Sequence, residues 1–363
     1  MLQLYFQDYF ILIPFFLYFT GFWVFFIRNN FFSVRINPSS SDVLKNSKVL
    51  KKIHYNFFIN WSLITIVYFN ISLFFLKFDF NTFWFNHLKL NNFILNLIII
   101  ISIINLFVIN IVKFLKNSNI NYNIDYFLSL FNLSVFIPLI FLSNTLYTFI
   151  FLIEVNSLLI LYKFSVSRYW FKNNNFFNKN KNLFNRLLPK SYLNMMFFQY
   201  WANFFSSVLL LFSIFNIIYI YGSSEWAFID LLNFINFNIS YNFNWNFHIF
   251  LWMPFFLGLF LKIGFTPLHL FKIEVYKGIP FISIFFYTTY YFLSFFLFLV
   301  LIIFYHVNSF KLFWWFFFTI FLLFGLFYII SLLFDVNLVK AFFAYSTVVN
   351  VLTFLIILVV SLQ

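Results

Sequence analysis

The chain is built from long apolar runs, and their length decides what it can fold into. A helix needs about 20 apolar residues to cross about 30 Å of hydrocarbon. Ten stretches meet that requirement, over 4–27, 57–77, 93–115, 126–142, 145–165, 192–221, 248–270, 280–305, 312–334 and 345–362. The expected fold class is therefore all-α, a polytopic transmembrane helix bundle of about ten spans. Composition leaves no aqueous alternative. Charged residues are 9% and hydrophobic residues 64%, with Phe alone at 70, whereas a soluble domain carries about 25% charged residues. A soluble enzyme, a nucleic-acid binder and a disordered tail are excluded. The absence of Cys removes disulfides, thiolate metal sites and iron–sulfur ligation. The first span lacks the basic flank and small-residue cleavage site of a secretory signal. The bias toward Phe, Ile, Asn, Lys and Tyr fits A/T-rich codons, as in an organellar genome.

The basic residues set the expected topology. Loop 28–56 carries Arg28, Arg35, Lys45, Lys48, Lys51 and Lys52, and the segment 163–190 carries Lys163, Arg168, Lys172, Lys179, Lys181, Arg186 and Lys190. Lys113 and Lys116 follow the third span, Lys272 and Lys277 follow the seventh, and Lys340 lies between the ninth and tenth. If ten spans alternate, all of these fall on one side, 18 of the 22 basic residues. The positive-inside rule then puts them in the cytoplasm or matrix and both termini on the opposite side. The net charge of +13 is thus mostly an orientation signal. Segment 222–247 has no Lys or Arg and reads as an aromatic, interfacial stretch on the outer side.

Two ionisable residues remain inside spans: Glu154 in the fifth and Lys262 in the seventh. A charge at the bilayer centre costs about 2.5–3.5 kcal/mol even on lenient insertion scales. The simplest resolution is that the two face the bundle interior and each other. Desolvation opposes both charges while mutual attraction restores them. A pair balanced this way can exchange protons when its surroundings shift. It can equally serve as a lock between two helices, and both readings stand at this point. Gly258, Gly264 and Pro267 are expected to interrupt the seventh span beside Lys262. Backbone broken at membrane depth is tolerated only where protein or a water-filled cavity satisfies it, and discontinuous helices often flank ion paths. The five histidines, His54, His87, His248, His269 and His306, form no helix-spaced pairs, so haem and copper binding are not expected. No glycine-rich nucleotide loop occurs.

The run Leu261-Lys262-Ile263-Gly264-Phe265-Thr266-Pro267-Leu268-His269, continued by Glu274-Val275-Tyr276-Lys277-Gly278-Ile279-Pro280, resembles a signature of the antiporter-like subunits of respiratory complex I. The Glu-Val-x-x-Gly-x-Pro part is most similar to the subunit 2 type of NADH:ubiquinone oxidoreductase. Glu154-Val155-Asn156-Ser157-Leu158 resembles the family's fifth-helix Glu-x-x-Ser-Leu, and Lys340 followed by Ala344-Tyr345-Ser346-Thr347 resembles its basic residue before Ala-Tyr-Ser-Ser. On this resemblance, residues 1–142 carry transmembrane helices 1–4, and 143–363 form an antiporter-like region with a broken seventh helix.

The resemblance implies that Glu154 and Lys262 are the input pair of a proton half-channel, with His269 and Pro267 at the helix break. The implied function is proton translocation coupled to electron transfer, by a non-redox membrane-arm subunit of proton-translocating NADH:ubiquinone reductase. The isolated chain would catalyse nothing and hold no cofactor; FMN, iron–sulfur clusters and ubiquinone would sit elsewhere in the complex. Implied partners are other membrane-arm subunits and lipids, and no nucleic acid. The implied location is the mitochondrial inner membrane, multi-pass, with basic loops in the matrix and both termini facing the intermembrane space. Three departures accompany this. The family's eighth-helix lysine falls at Phe292, a histidine after Ala-Tyr-Ser falls at Asn350, and the family pattern continues for several helices past Gln363. The expectation is that a separate chain supplies those helices, the region 143–363 being incomplete at its C-terminus. Two alternatives share the same residues: a subunit of a multisubunit cation/proton antiporter, and a structural complex I subunit that has lost its relay.

Overall fold

The structure is a computed structural model that describes residues 60–61, 63–68, 71, 82–83, 86–115, 124–167, 181–239, 245–266, 268–306 and 311–361. A hairpin of two-residue strands, β1 (Thr82–Phe83) and β2 (Leu88–Lys89), precedes helix α1 (Asn92–Leu115). Then come α2 (Ile124–Leu142), α3 (Leu146–Ser167), α4 (Lys181–Tyr221), α5 (Trp226–Ile239) and α6 (Trp245–Ile263). They are followed by α7 (Leu270–Gly278), α8 (Phe281–Phe286), a π-helical turn (Tyr287–Phe292), α9 (Leu293–His306), α10 (Lys311–Phe334) and α11 (Val339–Ser361). Helices are the outcome these sequences permit, because a backbone in hydrocarbon must satisfy its own hydrogen bonds.

Five described helices are long and apolar enough to cross a membrane, and three shorter apolar ones join them. Together they coincide with the third to tenth expected spans. The first expected span lies outside the described residues; the second is represented by helical residues at 60–61, 63–68 and 71. The helix over the sixth span is longer than expected. α4 begins at Lys181, inside what reads as a solvated basic loop, because a helix continues past its apolar stretch when its polar turns reach the interface. Segment 222–247 likewise contains α5, which buries Trp226 and Ile229 and leaves Phe228 and Leu231 exposed.

Loops expected on one side of the membrane meet at one end of the bundle. Asn144 donates its backbone N–H to His87 O at 2.9 Å and its side-chain amide to Asn86 O at 2.9 Å. Leu146 N–H donates to Ser224 O at 2.8 Å, and Trp226 N–H to Asn144 O at 3.2 Å. The turns before α1, between α2 and α3, and between α4 and α5 are thereby stitched together, and their backbone groups are satisfied without water. Contacts among the loops of the other side follow the same logic. Tyr192 Oη donates to Ser165 O at 3.0 Å, and Lys340 Nζ donates to Ile279 O at 2.7 Å.

α4, with 41 residues, is the spine of the C-terminal half. It packs along both α6 and α7 and also against α3. Two glycines allow that close approach. A Cβ at Gly258 would lie 2.8 Å from Leu210 Cγ and 3.1 Å from Ser206 O. A Cβ at Gly278 would collide with Met195 Cβ and lie 2.8 Å from Ser191 O. Gly258 therefore does not interrupt the seventh span as expected. It sits inside the continuous helix α6, where its missing side chain admits α4.

Candidate functional site: a buried pair beside a helix break

Gly264 makes the break. Its φ of +74° is left-handed, a region that glycine enters without the penalty of a Cβ. Phe265 N–H bonds to Phe260 O at 3.0 Å, and Gly264 N–H reaches Leu261 O at 3.3 Å. These two bonds are a Schellman closure, which consumes carbonyls at the end of α6. The apolar contact that accompanies such a closure is present too, with the Phe265 and Phe260 rings stacked at 4.6 Å. Phe265 and Thr266 are buried in the interruption, and α7 begins at Leu270. α10 reaches the same point: a Cβ at Gly325 would collide with Thr266 Oγ1. Pro267, expected to break the helix, lies outside the described residues.

Lys262 stands in the last turn of α6, with a fully buried side chain. Its Nζ donates to Glu154 Oε1 at 2.9 Å, across to the middle of α3. The second carboxylate oxygen, Oε2, accepts a 3.3 Å bond from Ser157 Oγ, one turn on along the same helix. Two features offset part of the cost of enclosing a charged group here. The carboxylate forms a charge-assisted hydrogen bond, and the last-turn carbonyls of α6 present the negative end of the helix dipole. The partners differ in burial. Lys262 is fully enclosed, while the Glu154 side chain keeps 34% of its surface exposed at the edge of the chain.

His269 is completely buried, and its ring packs against Tyr328 of α10 at 5.9 Å and Tyr345 of α11 at 6.2 Å. Its described ring contacts are to the C-terminal helices rather than to Glu154 or Lys262. Asn350 is exposed on α11. His87 lies in the loop before α1, 3.4 Å from Thr145 Oγ1.

Two lysines that read as loop charges are buried in the bundle. Lys163 lies on α3 near its end, with Nζ over the Phe286 ring at 2.7 Å. Lys272 lies in the first turn of α7, fully buried, with Nζ 3.7 Å above the Phe292 ring centroid. The ring beneath Lys272 is thus the one at which the resemblance expects a lysine. The stem of Lys272 passes Gly264, where a Cβ would sit 3.0 Å from Lys272 Cδ. Hydropathy cannot find such a residue, because Lys272 follows the break and the apolar run has ended. The signal available in the sequence was its position in a short segment between two spans with no other room for solvent.

The described helices thus place a carboxylate–lysine pair at the end of a discontinuous helix, as the resemblance implies. Residues 190–363 match the family described as NADH:quinone oxidoreductase/Mrp antiporter, transmembrane. A curated relative, the uncharacterized mitochondrial protein ORF4 of Paramecium tetraurelia, is 40% identical over 78 residues, 22% of this chain and 50% of that one. Among solved structures, a chain of respiratory complex I from Thermus thermophilus, determined with bound aureothin, superposes with a TM-score of 0.56 at 12% identity. That match covers 81% of this chain and 57% of the other. The chain therefore spans about half the length of the relatives it matches, and the structural likeness concerns the fold.

Proposed function

We propose that the chain is a membrane-arm subunit of mitochondrial respiratory complex I, of the subunit 2 type, that takes part in proton translocation coupled to electron transfer. The observation that carries this reading is the Glu154–Lys262 ion pair, held at 2.9 Å beside the Gly264 break. Electrons would pass from NADH to ubiquinone elsewhere, through FMN and iron–sulfur clusters of other subunits. In this chain a proton enters at Glu154, whose side chain is one-third exposed, and the enclosed Lys262 carries it inward. A change of charge in a neighbouring subunit need shift that equilibrium by only about 1.4 kcal/mol to alter occupancy ~10-fold. The other partners are further membrane-arm subunits and lipids. The location is the mitochondrial inner membrane, with the ends carrying Lys340 and Lys277 toward the matrix.

Co-purification tests this against a cation/proton antiporter. Extracted gently from mitochondrial membranes, the chain should travel with an assembly that reduces quinone with NADH. A small assembly with sodium-dependent proton exchange and no quinone reductase would contradict it. We count His269 as a third contributor, a role supported by its ring contacts with Tyr328 and Tyr345 on the helices beyond the break.

A further inference from the structure

The amine of Lys272 is not used by the pair. It is fully buried, and among the described residues its Nζ has no hydrogen-bond partner. Its one described polar interaction is with the face of the Phe292 ring. Such a contact offsets only part of the cost of enclosing an unpaired ion. A lysine with a purely structural task would be expected to reach a carbonyl, as Lys340 does at Ile279 O. Methionine or leucine would fill the same space without the penalty.

The surroundings say what the amine faces. Lys272 and Tyr276 stand one turn apart on α7, hence on one face of it. That face packs on the π-helical turn: Lys272 over Phe292, and the Tyr276 ring 5.9 Å from the Tyr287 ring. Tyr287 in turn stacks on Tyr291 at 5.2 Å. Tyr287 Oη is buried and also has no hydrogen-bond partner among the described residues. π-helical turns inside α-helices occur frequently at functional sites. Two unpartnered polar atoms thus line one interface, and buried polar groups of this kind are ordinarily satisfied by water. At its other end the Lys272 stem lies against Gly264, two residues from Lys262.

We propose that Lys272 is the second proton-carrying amine of this chain, receiving the proton that Lys262 releases across the helix break. The proposal rests on the relay reading of Glu154 and Lys262. In the step, a proton leaves the Lys262 ammonium and passes through intervening water to the neutral Lys272 amine. Lys262 becomes neutral, Lys272 becomes the ammonium held over Phe292, and Lys262 is recharged from a protonated Glu154, which reverts to carboxylate.

The geometry supplies a specific test, because a lysine at position 292 could place its amine in the space that Lys272 Nζ occupies. In the assembled complex, protons translocated per NADH oxidised are measured for Lys272→Met, for Lys272→Met with Phe292→Lys, and for Lys262→Met. The expected result is a lower ratio in Lys272→Met with NADH oxidation retained, and recovery of the ratio in the double variant. An unchanged ratio in Lys272→Met overturns the proposal, and so does a lowered ratio that Phe292→Lys fails to restore. If neither Lys272 variant assembles, Lys272 is a packing residue and the proposal is equally overturned. Lys262→Met separates the two levels: should it also keep the full ratio, the relay reading itself has failed, whereas loss there beside an unchanged Lys272→Met removes only this step.

Discussion

The two halves of the broken helix each bury one lysine, and they meet its charge differently. Lys262 ends α6, at the negative end of that helix's dipole, and has a carboxylate at 2.9 Å. Lys272 begins α7, at the positive end of that helix's dipole, and its described partner is an aromatic face at 3.7 Å. The dipole favours a cation at the first site and disfavours it at the second. The same residue type is thus placed on both sides of Gly264 in unequal surroundings. In the proposed relay, such an inequality would give a proton passing between them a direction.

The comparison can be broken most severely at the first site. Glu154→Ala would leave the enclosed Lys262 without its counter-charge and should destabilise the folded chain by about 3–5 kcal/mol. Thermal denaturation of the detergent-solubilised complex checks this, and the double variant Glu154→Ala with Lys262→Met should recover most of the loss. A smaller effect is expected at the break. Gly264→Ala forces a non-glycine residue into left-handed backbone and presses on the Lys272 stem, for a cost of about 1–2 kcal/mol from the backbone alone. The same denaturation measurement should show it, with the Glu154–Lys262 contact unaltered. At the second site, Lys272→Met should leave stability within about 1 kcal/mol or raise it, since no anion loses its partner; a fall as large as that of Glu154→Ala would erase the contrast between the sites. The smallest effect belongs to Lys277→Ala. Its pair with Glu274 is about one-third exposed on both sides and should be worth about 0.2–1 kcal/mol.

What the sequence made legible follows from the same physics. Glu154 and Lys262 stand out because each interrupts an apolar run long enough to span the membrane, and such charges need a partner. The break was legible from Gly264, although its mechanism is a Schellman closure completed by Phe265 on Phe260, which hydropathy does not register. Gly258 has the opposite lesson. A glycine in a span reads as an interruption, yet its function here is to let Leu210 and Ser206 of α4 come close, a fact about a neighbouring helix. Lys163 and Lys272 were hidden because a lysine at the end of an apolar run resembles a loop charge. Only the packing of α7 against the π-helical turn, and of α3 against Phe286, encloses them. The reach of α4 back to Lys181 was hidden for a related reason: hydropathy marks where a helix enters lipid, and the helix itself starts earlier.

The central claim is that Glu154 and Lys262 move protons rather than only fasten α3 to α6. The most direct measurement is NADH-driven proton translocation in membranes carrying Lys262→Met in a fully assembled complex, scored as protons moved per NADH oxidised. The account predicts that assembly and NADH oxidation persist while the ratio falls. The wild-type ratio in an assembled Lys262→Met complex would contradict it, and would leave the pair as a fastening between two helices.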